Sequence, residues 1–187
     1  MNKIPTLFVR DENDRAHVTH EPHPDCLWVF AGEGTATRKY DGTCVMFDGE
    51  RWWARREVKP GKTEPDGFRL VTFDALTGKS MGWEPVEQSS FAKAHAEAVA
   101  HQNTTVSGWP HGTYELVGPK VQGNPERVAQ HELWAHAAAE VMQVSGLDWD
   151  ALRATVLAAH AEDGCEGIVW HHPDGRMAKL KARDFPQ

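Results

Sequence analysis

The chain has 187 residues, 40% hydrophobic and 9% aromatic, enough to bury a core within one compact domain. Its 20 Lys and Arg stand against 27 Asp and Glu, a net charge of −7. That balance argues against a coat protein held on nucleic acid by bulk charge, because nonspecific phosphate binding needs a cationic surplus. It leaves room for a local basic groove.

Residues 1–25 form a polar N-terminal segment ahead of the core, residues 26–183. The opening MNKIPTLFVRDEND has neither an apolar h-region nor a small-residue cleavage site, so no signal peptide is expected. No apolar run reaches the roughly 18 residues of a membrane span, so no membrane partner is expected. The cytoplasm is the default compartment. His17, His20 and His23 lie in this segment with Pro22 and Pro24. The prolines argue against a helix there, so a solvated loop is favoured over a metal site.

Residues 26–30 are a short apolar run broken by Gly32 and Gly34. Residues 35–40 lead into the turn Lys39-Tyr40-Asp41-Gly42. Residues 43–47 and 51–55 read as strands joined at Asp48-Gly49. Residues 58–67, rich in Pro, Gly and charge, read as a loop, and 68–73 as an alternating strand. Residues 74–88 contain Gly78, Gly82 and Pro85 and again read as a loop.

A helix is expected over 90–101, with Phe91, Ala94, Ala98 and Val99 on one face and Ser89 or Ser90 as N-cap. Residues 112–117 are a strand, followed by the turns Gly118-Pro119 and Gly123-Asn124-Pro125. Residues 126–144 support two readings, an alanine-rich helix or a short buried strand around 133–135. Residues 149–162 form a helix capped by Asp148, with Leu152, Val156 and Leu157 inward. Residues 167–171 and 176–181 pair about Pro173-Asp174-Gly175. Internal repeats and low-complexity segments are absent from the sequence.

The cysteines Cys26, Cys44 and Cys165 are odd in number and widely spaced. They argue against a disulfide framework or structural zinc, and Cys44 and Cys165 read as small buried residues in a reducing compartment. Basic residues gather at Arg51, Arg55, Arg56, Lys59 and Lys62, and again at Arg176, Lys179, Lys181 and Arg183.

The turn at Lys39 points to nucleophilic catalysis. A lysine amine attacks only when unprotonated, and burial or a neighbouring cation favours that form. Four further segments follow in order, each suited to handling a nucleoside triphosphate. Arg55 offers a planar fork for phosphate. Glu115, near the end of a strand, can hold a ribose hydroxyl or a metal-bound water. Glu166 offers a hard oxygen ligand for Mg²⁺. Lys179 and Lys181 alternate with Leu180 and share one strand face, where they can neutralise an attacked α-phosphate.

This order resembles the covalent nucleotidyltransferases, the superfamily of RNA ligases, DNA ligases and mRNA capping enzymes. In its terms Lys39-Tyr40-Asp41-Gly42 resembles motif I, Arg55 motif Ia, Glu115 motif III, Glu166 motif IV, and Lys179 with Lys181 motif V. The stretches Ala36 to Cys44, Trp53-Ala54-Arg55, Lys59-Pro60-Gly61-Lys62 and Gly82-Trp83-Glu84-Pro85-Val86 look like the RNA ligase 1 family. So do Glu115-Leu116-Val117-Gly118, Gly123-Asn124-Pro125 and Glu166-Gly167-Ile168-Val169-Trp170-His171. The resemblance spans residues 26 to 183.

The resemblance implies an α+β minimal nucleotidyltransferase (adenylation) domain over residues 1–187. It would have two mainly antiparallel sheets around a nucleotide cleft and flanking helices. With only six residues after Lys181, no OB domain is expected. The implied activity joins 5′-phosphate and 3′-hydroxyl RNA ends, with ATP as AMP donor and Mg²⁺ or Mn²⁺ as cofactor. Lys39 would be the nucleophile, Lys179 and Lys181 its catalytic partners, and Glu166 the metal ligand. Arg38, Asp41, Gly42, Arg55, Glu115 and Lys59 would contact the nucleotide. Arg38 stands where related enzymes carry a glutamate that helps read adenine, and Trp134 is a candidate for stacking on the base. Lys59 and Lys62 are candidates for the β- and γ-phosphates or the RNA backbone. Rival readings are a DNA ligase, a GTP-using capping-type transferase, or an inactive nucleotide- or RNA-binding module.

Overall fold

The computed structural model describes residues 4–103 and 108–186. In chain order the elements are β1 Phe8–Arg10, β2 Val18–Pro22, α1 Leu27–Phe30, β3 Thr35–Lys39, β4 Thr43–Phe47, β5 Trp52–Val58 and β6 Arg69–Asp74. Then come β7 Lys79–Pro85, α2 Ala92–Gln102, β8 Gly112–Val117, β9 Glu132–Ala135, α3 Trp149–Asp163, β10 Gly167–His171 and β11 Met177–Lys181. The architecture is mixed α and β, dominated by antiparallel sheet. Among the described residues no helix is long and apolar enough to cross a membrane. The chain divides into two compact units, residues 41–138 and residues 4–40 with 139–186.

In residues 41–138, six strands form one sheet in the order β6-β7-β5-β4-β8-β9. Strand alternation sorts side chains between its faces. Val45, Ala54, Tyr114, Leu116 and Leu133 enter a core with Ala98 of α2, and Phe91, Ala94 and Val99 pack against it as the helical spacing predicts. The cap lies slightly upstream of the helix, where the Ser89 hydroxyl accepts the Phe91 N–H at 3.2 Å. The segment 74–88 is not a loop. It contains β7, hydrogen-bonded to both β5 and β6. Gly82 marks close packing there, since a Cβ would lie 2.3 Å from the Arg69 carbonyl oxygen. Of the two readings of 126–144, the short strand is realised as β9.

In residues 4–40 and 139–186, three strands form a sheet in the order β11-β10-β3. Its flanks are covered, which removes the exposed backbone that would otherwise recruit another strand. On the β11 side Leu7 N–H donates to Lys179 O at 2.8 Å and Lys179 N–H to Pro5 O at 3.0 Å. On the β3 side Arg38 N–H donates to Glu140 O at 2.8 Å and Met142 N–H to Ala36 O at 2.9 Å. Leu152 and Val156 of α3 pack with Ile168, Trp170, Ala178 and Leu180. The helix starts where expected, with Asp148 Oδ1 accepting the Ala151 N–H at 2.9 Å.

The N-terminal segment also departs from the loop reading. Beyond residues 1–3, which lie outside the described residues, β1 and β2 pair antiparallel. Leu7, Phe8 and Val18 are buried in the same core as α3. The histidines serve this packing separately. His20 stacks on Trp149 at 4.1 Å, and His17 Nδ1 lies 2.6 Å from Asp14 Oδ2. Pro22 ends β2, and Pro24 opens a single 3-10 turn, Pro24–Cys26, capped by the His23 ring.

Leu180 has no exposed surface, whereas Leu76 is 99% exposed. Leu180→Ala is expected to lower the unfolding free energy by about 2–5 kcal/mol, and Leu76→Ala to change it by less than about 0.5 kcal/mol. Urea titration checks both values.

Candidate functional site

Lys39 ends β3, and its place in the register determines its company. Gly167 of β10 pairs with Lys39 on one side and Lys181 on the other. Lys39 and Lys181 thus lie in one cross-strand row, about two strand spacings of 4.8 Å apart. The residue between them must be small, because a Cβ on Gly167 would meet Leu180 O at 2.1 Å. Glu166, just before this glycine, holds both ammonium groups: Oε2 accepts from Lys39 and Oε1 from Lys181. Arg183 Nη2 lies 3.9 Å from the same Oε1. Three cations therefore surround one carboxylate that is itself only 10% exposed.

Burial opposes the charge on Glu166, but the Lys39 charge and the hydrogen bonds from Lys181 and Lys39 outweigh it and hold the carboxyl below its ordinary value. The group stays anionic at neutral pH. Lys179 occupies the next row of the same strand face, opposite Val169. Arg38 does not join them. Its neighbours in register are Ile168 and, beyond it, the buried Leu180, so its side chain leaves the opposite face of β3. There its guanidinium pairs with Asp163 of α3.

In the other unit, residues 41–138, Glu115 organises a second group. Glu115 lies between Cys44 and Trp134 in register, and the Val45–Ala54 pair brings Arg55 alongside Cys44. This row occupies the sheet face opposite the α2 core. Glu115 Oε1 accepts the Gly42 N–H at 3.0 Å, while Oε2 lies 3.0 Å from His136 Nε2. A carboxylate only accepts, so Nε2 carries the proton. In the neutral ring Nδ1 then accepts from the Thr113 hydroxyl at 2.9 Å. Glu126 accepts the Asp41 N–H at 2.8 Å. Arg55 is half-buried, and its Nε is buried without a hydrogen-bond partner among the described residues. Trp134 is half-buried, with its indole N–H donating to Glu132 at 2.7 Å. Lys59 and Lys62 are exposed in the loop after β5.

Cys44, Glu115 and His136 bring ligand-type atoms within 4.8 Å of one another. A thiolate, imidazole and carboxylate set suits zinc-like ions rather than Mg²⁺. Here both Glu115 oxygens and the His136 Nε2 proton are engaged in hydrogen bonds, which accounts for the cluster without an ion. Cys26 and Cys165 are buried, but Cys44 is only half-buried, a correction to its expected place in the core.

His136 and Glu126 carry no motif signal, because both fall in the stretch whose secondary structure was ambiguous. Asp163, the partner of Arg38, reads in sequence only as the end of a helix. No protein-family model matches the chain, and no curated protein matches it in sequence.

Glu166 stabilises the fold through its charge. Because its pKa is lowered, that stabilisation is present above the ordinary value of 4.5 and is lost as pH falls from there through the folded value. Glu166→Gln leaves two ammonium groups facing an uncharged amide and is expected to cost about 1–3 kcal/mol at pH 7. The variant's stability should also fall less steeply in acid than the wild type's. Denaturant titrations across pH check both effects, and parallel pH profiles would contradict the assigned charge.

Proposed function

We propose that the chain is an ATP-dependent RNA ligase with a minimal adenylation domain, working in the cytoplasm through a lysyl-AMP intermediate. The observation that carries this reading is the convergence of Lys39 and Lys181 on Glu166 across the bare Gly167. Cations beside a nucleophilic lysine help it receive a phosphate, and Glu166 holds the Lys39 ammonium in place until a phosphate displaces the carboxylate. The free cysteines agree with a reducing compartment.

Lys39 first loses a proton to water, since Glu166 with its depressed pKa is a poor base. The Nζ lone pair attacks the α-phosphorus of ATP and forms an N–P bond. The bond from that phosphorus to the bridging oxygen breaks, and pyrophosphate leaves with the electron pair. The nitrogen then releases a second proton, giving a phosphoramidate. Lys181, with Lys179 on the same face, offsets negative charge on the phosphoryl oxygens.

A 5′-phosphate oxygen of RNA next attacks the same phosphorus. The N–P bond breaks, its electron pair returns to Nζ, and the nitrogen takes up a proton. Finally a 3′-hydroxyl attacks the activated 5′-phosphate, loses its proton, and expels AMP as the phosphodiester forms. Arg55, with its unpartnered buried Nε, suits a phosphate. Glu115 acts through the backbone, holding the Gly42 amide of the nucleophile turn. Trp134, beside Glu115, offers a ring for the base. Arg38 acts through Asp163 as a brace for β3.

A divalent cation fits these residues in a limited way. Both oxygens of Glu166 are bonded to lysines, so this carboxylate has no oxygen left uncommitted for an ion. This donor set suits Mg²⁺ or Mn²⁺ that arrives on the triphosphate and keeps mostly phosphate and water oxygens. Such an ion, when bound, supplies charge neutralisation on the phosphates.

Intact mass spectrometry after incubation with ATP and Mg²⁺ should detect a gain of one AMP that survives denaturation and is absent from Lys39→Ala. Lys181→Ala should slow adduct formation by about 100-fold or more while its circular dichroism stays native. An adduct formed only from GTP would favour a capping-type transferase. No adduct from any nucleotide would exclude the adenylation chemistry.

A further inference from the structure

We propose that the N-terminal hairpin and β11 build a pyrophosphate-binding cavity, which takes the β- and γ-phosphates of the triphosphate and from which pyrophosphate departs. The inference rests on the adenylation reading and extends it to a segment that no motif covers.

A cavity of about 820 Å³ is lined by Arg10, Arg15, Lys179 and Arg183, with Asp25 and Asp184 as its carboxylates. Four cationic side chains thus face one space in a chain whose net charge is −7. Part of this wall is fixed. Arg10 donates to Asp184 Oδ1 at 2.6 Å, to Thr6 Oγ1 at 3.3 Å and to Ala16 O at 2.7 Å. Asp184 is 1% exposed, and its other oxygen accepts the Lys181 N–H at 2.8 Å. One buried carboxylate therefore ties the hairpin arginine to the strand that carries Lys181. Arg15 is exposed in the loop between β1 and β2, and Arg183 is 75% exposed. Both can turn toward an anion at little cost in packing.

The direction of the reaction places the tail here. In-line displacement sends the leaving oxygen away from the attacking nitrogen. From Lys39, the row runs through Gly167 to Lys181, and the segment Pro5–Leu7 lies beyond β11. An α-phosphate held between Lys39 and Lys181 projects its tail past β11, toward Lys179, Arg183 and the hairpin. Arg183 links the two places, because it lines the cavity and also approaches Glu166 at 3.9 Å. The cavity takes over the task that the motif reading gave to Lys59 and Lys62, which are exposed in a separate loop. A polyanion in the cavity replaces water with charged donors already in place.

The test uses the full chain and its Arg15→Ala and Arg183→Ala variants, both at exposed positions where folding is not at stake. Calorimetric titration with inorganic pyrophosphate should give a dissociation constant raised about tenfold or more in each variant, as loss of a charge-assisted contact predicts. The KM for ATP in adduct formation should rise in parallel, while AMP affinity stays within about twofold. Pyrophosphate that fails to bind the wild type, or binds the variants equally well, overturns the proposal even if the AMP adduct forms. Variants that keep pyrophosphate affinity but lose a 5′-phosphorylated RNA oligonucleotide also overturn it, by assigning the cavity to the RNA strand. Failure of the wild type to form an adduct would remove the adenylation reading, and the pyrophosphate titration would still decide whether the cavity binds its anion.

Discussion

Two lysine ammonium groups held on one poorly exposed carboxylate are the constraint around which this molecule is arranged. Lys39 and Lys181 come from strands at opposite sides of β10, and without Glu166 their charges would repel across the sheet. With it, the pair is stabilised enough to survive partial burial but still carries excess positive charge, since Arg183 joins the same oxygen. Desolvation offsets part of what such a cluster gains as a structural ion pair. The cluster is well suited to receiving a polyanion that can replace the carboxylate as the lysines' counter-ion.

The backbone is organised to hold that cluster still. Neighbouring segments cover both flanks of the β11-β10-β3 sheet, so the row from Lys39 to Lys181 sits in a closed hydrogen-bond ladder. On the other side of the same strands, Ile168 and Leu180 are fully buried against α3. Alternation thus separates the face that carries Lys39, Lys179 and Lys181 from the one packed on α3. In residues 41–138 the logic repeats with hydrogen bonds in place of ion pairs. Glu115 fixes the Gly42 amide, and His136 fixes Glu115.

The legible parts of this chain were those where short-range pattern and long-range packing agree. β4, β8, β10 and α3 were readable because their apolar residues face one core and their turns or caps are adjacent in sequence. β7 was hidden because Gly82 answers to the Arg69 backbone of a neighbouring strand, a demand that local reading mistakes for a loop. The hairpin of β1 and β2 was hidden by charge and proline around a few buried residues. Motif order singles out Lys39, Lys181 and Glu166 but gives Glu166 to a metal, and the ion pairs it makes with both lysines depend on register across β10. Arg38 illustrates the limit. Adjacent to Lys39 in sequence, it leaves the opposite face of the strand and belongs to Asp163.

The hairpin and the lysine row connect through Asp184, whose two oxygens bind Arg10 and the Lys181 backbone. That link joins an N-terminal element without a motif to the strand that carries Lys181. The proposed adenylation rests on one atom, the Nζ of Lys39. Peptide mapping of protein treated with ATP and Mg²⁺, digested under alkaline conditions that preserve a phosphoramidate, tests it most directly. AMP is expected on the peptide that contains Lys39 and on no other. AMP on a different residue, or on none, would contradict it.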